Sequence, residues 1–260
     1  MTLSPELADA VEQFAAKDTV LLCLDFDGCV AELVADAASA RPVPANAQAI
    51  ERLSEQAGVT LAYVSGRPLE TLRALARPPQ GALLFGSHGA ERWLGPDSPG
   101  LELTGAEQTA RAQVLEVLES IASEHEGAWV EHKPAGGAVH VRHITDHSRG
   151  EQVLDQARAA LSLVDGAHVK EGKRILEAVV VQSTKGEAIE ELRELTSPDA
   201  VFFAGDDVTD EHGFAVLRTG DLGVKVGEGQ TKADYRIPEP EALAEVLNRL
   251  ADARAQVPLH

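Results

Sequence analysis

Two carboxylates two residues apart, Asp25 and Asp27, close the apolar run Val20-Leu21-Leu22-Cys23-Leu24. In an extended chain residues i and i+2 point to the same side, so Asp25 and Asp27 converge while Phe26 turns away. Such a pair suits a divalent cation, a nucleophile with an acid/base partner, or both. A bare Asp-x-Asp is weak evidence, since solvated turn acids share the spacing. Its surroundings change the weight. A buried-strand pattern precedes it, Gly28 follows it, and a second acidic run, Gly205-Asp206-Asp207-Val208-Thr209-Asp210-Glu211, ends another apolar segment. Two acid clusters at strand ends repel each other unless a cation lies between them. Mg²⁺ takes oxygen ligands and serves phosphate chemistry.

Phosphoryl transfer also needs cations and hydrogen-bond donors around the phosphoryl oxygens. Ser65 ends a third apolar run and offers a hydroxyl and a nearby backbone N–H. Lys185 opens the helical segment Lys185-Gly186-Glu187-Ala188-Ile189-Glu190, and helix N-termini favour anions. Singly, Ser65 reads as a turn residue and Lys185 as a solvated lysine. Beside two acid clusters they favour phosphate chemistry.

These residues need a scaffold. Apolar segments at 19–24, 59–64, 82–85 and 200–204 read as buried parallel strands. Helical segments at 46–57 and 69–76 alternate with the first three, which predicts a doubly wound α/β core. Each strand ends in polar groups: Asp25 and Asp27, Ser65-Gly66-Arg67, Ser87-His88-Gly89, and Gly205-Asp206-Asp207. Ligands of open α/β sheets bind beyond such carboxyl ends. The rhythm changes in the middle. A helix at 105–123, strands at 128–133 and 138–144 around a Gly136-Gly137 turn, a helix at 148–164, and a hairpin at 168–171 and 174–181 around Gly172 make an α+β pattern. The expectation is an inserted domain at 105–182 within a core of 1–104 and 183–260. The α/β rhythm then returns, with a strand at 222–226 and a last helix from Pro240.

Taken in order, Asp25-Phe26-Asp27-Gly28, Ser65, Lys185 and Gly205-Asp206-Asp207 resemble the four motifs of the haloacid dehalogenase (HAD) superfamily of phosphatases. The run 205–211, Ser65-Gly66-Arg67 and Ser87-His88-Gly89-Ala90-Glu91 resemble the trehalose-6-phosphate phosphatases in particular. Within the insertion, Glu131-His132-Lys133, His140-Val141-Arg142, and Gly172-Lys173 with Glu177 are similar to that family's cap signatures. The resemblance runs from 20 to 247.

It implies a Rossmann-like HAD core with an α+β cap of two helix-hairpin units that selects the substrate and closes over it. It implies that Asp25 attacks phosphorus and forms an aspartyl-phosphate, and that Asp27 protonates the leaving sugar oxygen and later activates water. Ser65 and Lys185 are implied to hold phosphate oxygens. The implied cofactor is Mg²⁺, ligated by Asp25, Asp206 and the backbone carbonyl of Asp27, with Asp207 in support. Glu131, Lys133, Arg142, Lys173 and Glu177 in the cap are implied substrate contacts. Gly66 is a further candidate for substrate contact, and Arg67 and His88 are candidates either for substrate or domain contact at the cleft mouth or for helix and loop capping. Trehalose has hydroxyls and no charge, so polar binders suit it. Strand alternation puts Glu131 and Lys133 on one face, and His140 and Arg142 on one face. The chemistry agrees. A carboxylate attacks an anionic phosphate poorly, so Mg²⁺ and Lys185 must offset repulsion. Asp27 needs a proton at first, and nearby negative charge favours it.

Two positions depart from the pattern. Cys29 stands where the superfamily usually has Thr, and a thiol is the weaker hydrogen-bond partner. Ala178-Val179-Val180 follow Glu177 where many relatives carry a basic residue and Pro, which alters one edge of the sugar site. His140, His143 and His147 do not read as a zinc site, because the first two face opposite sides of a strand and the third enters a helix.

The chain's 260 residues are 44% hydrophobic, enough for a sizeable core. With 42 Asp and Glu against 23 Lys and Arg, the net charge of −19 repels nucleic acid and anionic membranes. A small sugar phosphate is the expected partner, and a monomer the expected state. Cys23 and Cys29 are too close to staple a fold, and no signal pattern or bilayer-length apolar run appears, so a cytoplasmic location is expected. The leading expectation is an Mg²⁺-dependent trehalose 6-phosphate phosphatase. Nearest to it are phosphatases of sucrose 6-phosphate or mannosyl-3-phosphoglycerate, and a phosphomutase. A non-catalytic sugar-phosphate sensor is of another class, and the intact Asp25, Asp27, Lys185 and Asp206 set argues against it.

Overall fold

The computed structural model describes residues 3–256. They form two compact units, one of residues through Gly100 together with those from Ser183, the other Leu101–Gln182. In chain order the first unit opens with α1 (Pro5–Ala15), β1 (Val20–Leu24), α2 (Pro44–Ser54), β2 (Val59–Val64), α3 (Leu69–Ala76), β3 (Leu83–Gly86) and β4 (Glu91–Trp93). The second unit holds α4 (Gly105–Ser123), β5 (Trp129–Lys133), β6 (Gly136–His140), α5 (His147–Leu161), β7 (His168–Gly172) and β8 (Ile175–Val179). The first unit resumes with α6 (Lys185–Thr196), β9 (Ala200–Gly205), α7 (Glu211–Phe214), β10 (Leu222–Val226), β11 (Tyr235–Ile237) and α8 (Leu243–Arg254).

The larger sheet has seven strands in the order β11-β10-β9-β1-β2-β3-β4. All its pairings are parallel except that of β3 with β4. Both faces of the central strands are covered, and alternation divides their side chains between two cores. Val20, Leu22 and Leu24 of β1 join Phe202 of β9 and Tyr63 of β2 on the face that α1, α2 and α8 cover. Leu21 and Cys23 join Val201, Phe203, Ala62 and Val64 under Ile189 and Leu192 of α6. This explains why β1 reads as an unbroken apolar run rather than an alternating one. β1 is the switch point: the chain continues to β2 on one side and pairs with β9 on the other, Leu24 opposite Ala204. Asp25 and Gly205-Asp206 therefore leave the sheet at the same end, in the crevice where such folds bind ligands.

The smaller sheet is antiparallel, in the order β5-β6-β8-β7. Val114, Leu118 and Ile121 of α4 and Val153, Leu154 and Leu161 of α5 pack on Val139 and Leu176. Residues 101–104 belong with this unit because Thr104 caps α4 through a reciprocal box with Glu107.

Several local expectations need correction. Gly136 and Gly137 are not the turn of the first hairpin; they lie in β6, and the turn is Pro134-Ala135. A Cβ on Gly137 would meet Leu115 and Leu118 of α4 at 2.8 and 3.2 Å, and one on Gly136 would sit 2.0 Å from the carbonyl of Ala178. Close approach, not turn geometry, demands glycine there. β6 ends at His140, because Arg174 donates to the carbonyls of Val141 and Ile144 and turns the chain. Arg142 lies in that turn and shares no strand face with His140. Strands β4 and β11 and helix α1 extend the expected core. Among the described residues no helix is long and apolar enough to cross a membrane. Cys23 and Cys29 are both free and buried.

Candidate active site

Asp25 is 3% exposed, and its N–H donates to Ala204 O at 3.0 Å, which ties the end of β1 to β9. The chain then folds back, with Ala31 N–H donating to Phe26 O at 2.8 Å and Gly28 N–H to Ala31 O at 2.8 Å. Gly28 has φ 77°, and a Cβ there would lie 2.0 Å from Asp206 Oδ2. Both the backbone and the carboxylate beside it require glycine. Cys29 packs in the apolar cluster with Val30 and Ala31. Burial, then the charge of Asp25, pushes its thiol well up, so it stays protonated and serves as a small apolar residue.

Lys185 opens α6 behind a Thr184–Glu187 capping box. Its Nζ, almost fully buried, donates to Asp25 Oδ1 at 2.7 Å and to Asp210 Oδ1 at 2.6 Å. Burial alone would drive the ammonium down; Asp25 and Asp210 outweigh it and hold Lys185 charged, above its ordinary value. Asp210 is the residue that motif reading missed. It is 0% exposed, and its Oδ2 accepts the N–H groups of Asp206 and Asp207 at 2.9 and 2.8 Å. The available signal was its place four residues beyond Asp206, at the reach of one helical turn. Asp207 needs the opposite correction. It is exposed, its Oδ1 accepts from Val208 N at 2.7 Å, and it caps the 3₁₀ turn Val208–Asp210 outside the oxygen cluster.

That cluster is Asp25, Asp206 and Asp210, whose ligand oxygens lie within 4.8 Å of one another. Asp206 Oδ1 is buried with no hydrogen-bond partner among the described residues. Burial first, then the charge of Asp210, pushes the Asp206 carboxyl up to about 6. Asp25 is driven well above the ordinary carboxylate range, by burial first and against the pull of Lys185. Crowded all-oxygen donors with one orphaned atom fit a hard divalent cation. Lys225 supports the loop from β10: it is buried, and its Nζ donates to Asp206 O at 2.5 Å.

Ser65 directly follows β2 and is buried, and its Oγ accepts from Arg67 N at 3.2 Å. Arg67 forks onto Asp27, with Nε to Oδ2 and Nη2 to Oδ1 both at 2.5 Å, while Nη1 donates to Ala37 O at 2.8 Å. Its guanidinium is thus committed to the second acid of the motif. Beyond β3, Ser87, His88 and Gly89 all have positive φ (50, 60 and 113°). Glu91 holds this strained turn by accepting from Ser87 Oγ at 2.5 Å and Leu69 N at 3.2 Å. The His88 ring lies against Gly66, where a Cβ would stand 2.6 Å from Cε1.

In the second unit, register places Trp129, Glu131 and Lys133 on the sheet face away from α4 and α5, with Glu177 on β8. Lys133 Nζ lies 2.9 Å from Glu177 Oε2, and His140 Nε2 lies 2.9 Å from Glu131 Oε2. Arg142 and Lys173 are on exposed turns.

A sequence model of the trehalose-phosphatase family matches residues 23–241, well over half of the chain. The chain belongs to the trehalose-phosphatase family. It is 31% identical over 246 residues to the trehalose-6-phosphate phosphatase of Escherichia coli, covering 91% of this chain and 85% of that protein. A bifunctional trehalose-6-phosphate synthase/phosphatase of Thermoproteus tenax is 31% identical over 245 residues, which are 91% of this chain and 32% of the relative. The chain thus spans about a third of that relative's length, and less of some others. The C-terminal domain of Candida albicans trehalose-6-phosphate phosphatase shares the fold with a TM-score of 0.76 at 20% identity, covering 97% of this chain and 98% of that one. This trehalose-phosphatase family member shares the fold of solved haloacid dehalogenase-like proteins, a Rossmann-like core with an inserted unit of helices and strands.

Proposed function

We propose that the chain hydrolyses trehalose 6-phosphate to trehalose and phosphate, with Mg²⁺ as cofactor. The observation that carries this reading is the buried Asp25–Lys185–Asp210 chain at a strand end, beside the orphaned oxygen of Asp206. Lys185 engages Asp25 through Oδ1, leaving Oδ2 to attack phosphorus. The new Asp25–phosphorus bond forms as the bond from phosphorus to the sugar oxygen breaks. Asp27 hands its proton to that oxygen. Water then attacks phosphorus, Asp27 takes its proton, and Asp25 is released. Arg67 orients Asp27 by its two-pronged grip, and one prong must loosen for Asp27 to handle a proton. Ser65 and Lys185 hold phosphoryl oxygens. Asp25 and Asp206, with the Asp27 carbonyl, hold the metal. Once bound, Mg²⁺ supplies positive charge against the repulsion between carboxylate and phosphate.

Glu131, Lys133 and Glu177 read the sugar hydroxyls, with Arg142 and Lys173 on neighbouring turns. The face supports this role because its carboxylates keep acceptor capacity beyond their single cationic or imidazole partner. The test is phosphate release from trehalose 6-phosphate, sucrose 6-phosphate, mannosyl-3-phosphoglycerate and p-nitrophenyl phosphate with Mg²⁺. Trehalose 6-phosphate should lead in kcat/KM by about tenfold or more, the worth of one or two charged hydrogen bonds. A different leader would overturn the sugar assignment. Glu131→Ala should lower kcat/KM for trehalose 6-phosphate by about 10–100-fold and cost far less with p-nitrophenyl phosphate. Equal losses would remove Glu131 from sugar recognition.

The raised Asp206 carboxyl gives a pH test. A ligand must be ionised to bind metal, so a proton competes below about pH 6. Calorimetric Mg²⁺ affinity should fall between pH 7.5 and pH 5, by up to about tenfold per unit below the carboxyl's value. A flat profile would exclude Asp206 as a ligand.

A further inference from the structure

His140 is a buried histidine that the phosphate chemistry does not use. It is 5% exposed and ends β6, directly opposite Trp129 of β5. The two rings stack at 3.8 Å between centroids and 3° between planes. Its Nε2 meets Glu131 Oε2 at 2.9 Å, and its Nδ1 is buried with no hydrogen-bond partner among the described residues. We propose that His140 is a positioning residue for Glu131, clamped by Trp129 so that one carboxylate oxygen is fixed and the other is presented to a sugar hydroxyl. The inference rests on the proposed role of Glu131 in reading the sugar.

The need for such a device follows from the side chain. Glu131 has three rotatable bonds, and its side chain is 38% exposed, so on its own it would sample several rotamers. A hydrogen bond orders it only if the partner is itself immobile. The imidazole meets that condition, being held by burial and by the indole face. Its tautomer follows from the same contacts. An ionised carboxylate only accepts, so Nε2 must donate. A hydrogen on Nδ1 in place of Nε2 would leave that N–H without an acceptor and turn a lone pair towards Glu131.

The bond also sets the chemistry of the acceptor. The hydrogen bond from His140, foremost, holds the Glu131 carboxyl below its ordinary range, aided by Lys133 and Arg142 against the opposing effect of burial. Glu131 therefore meets a ligand as a pure acceptor, which selects hydroxyl donors and rejects phosphate oxygens. Lys133, two residues along β5 on the same sheet face, reaches Glu177 of β8 and forms a second fixed pair. Glu131 and Glu177 both lie opposite Ala138 of β6, two strand spacings or about 9.6 Å apart at the backbone, so the two carboxylate sites are spaced for neighbouring rings of a disaccharide.

Two replacements separate orientation from packing. His140→Phe keeps a ring to stack on Trp129 and removes the donor. His140→Gln removes the ring and keeps an N–H donor at similar reach. The readout is the ratio of kcat/KM for trehalose 6-phosphate to that for p-nitrophenyl phosphate, with Glu131→Gln measured alone and combined with His140→Phe. His140→Phe should lower the ratio about tenfold, mainly through KM. His140→Gln should recover part of that loss. The double variant should fall little below Glu131→Gln, because both changes remove one arrangement. A lowered melting temperature with an unchanged ratio in His140→Phe would make His140 structural only and overturn the proposal. A ratio lowered in Glu131→Gln but not in His140→Phe would sink the positioning role and leave the sugar reading standing. An unchanged ratio in Glu131→Gln itself would remove both.

Discussion

Replacing Asp25 by asparagine will abolish phosphate release while leaving the fold intact. The amide fills the same volume and has no nucleophilic oxygen, so the loss should be on the order of 10⁴-fold or more, about 5.5 kcal/mol of barrier. The fold survives because Lys185 keeps Asp210 at 2.6 Å and so does not become an unpaired buried charge. Asparagine also removes a buried negative charge that burial itself disfavours. Single-turnover phosphate release with trehalose 6-phosphate, beside a urea melt, checks both halves. Residual turnover within about tenfold of wild type would disqualify Asp25 as the nucleophile.

Lys185→Met should do more damage to the molecule as a whole. It leaves Asp25 and Asp210 buried, with ligand oxygens inside one 4.8 Å cluster and no cation between them. Removing one partner of a buried ion pair typically costs about 3–5 kcal/mol, and here one lysine serves two acids. Turnover should fall at least about 10³-fold, since a charge preorganised against phosphate is lost with the structure that held it. The pH dependence has a definite sign. Asp25 already has a folded value raised well above its ordinary one, and losing the ammonium raises it further. The folded variant then binds more protons than the unfolded chain, so its stability recovers as pH falls towards the ordinary carboxylate range. Urea midpoints of wild type and variant should converge between pH 8 and pH 5. A constant gap would mean that lost packing, not charge, causes the defect. Adding Asp210→Asn should restore stability without restoring turnover.

Much of the molecule was legible because its central strands are buried on both faces. An unbroken apolar run ending in acid, such as Val20 to Asp25, has few other readings. Helix α4 was legible to the residue, since Gly105 follows a capping threonine and Glu107 completes the box. Strands β4 and β11 were not, because three residues are too few to show a period. Gly136 and Gly137 misled because glycine serves both turns and close packing, and only the neighbouring α4 tells which. In the acidic run of 205–211 the sequence offers several carboxylates and no direction. The 3₁₀ turn decides it, aiming Asp210 inward to Lys185 and leaving Asp207 on the surface. Arg142 left its strand for a similar reason, because the distant Arg174 captures the carbonyls around it.

The pairing of Asp25 with Lys185 joins positions 160 residues apart, and that span has a temporal meaning. A ribosome delivers Asp25 early, long before the lysine that neutralises its buried site. Between them emerges the whole of Leu101–Gln182, a contiguous segment with an apolar core of its own. Contacts of such separation are costly to close and form late. The inserted segment can therefore assemble during synthesis, while β1 must wait for β9, exposing an uninterrupted apolar strand as it does so. In a nascent chain stalled before Ala200, β1 would have no partner on its β9 side, and that half-built sheet edge is where a chaperone would be engaged.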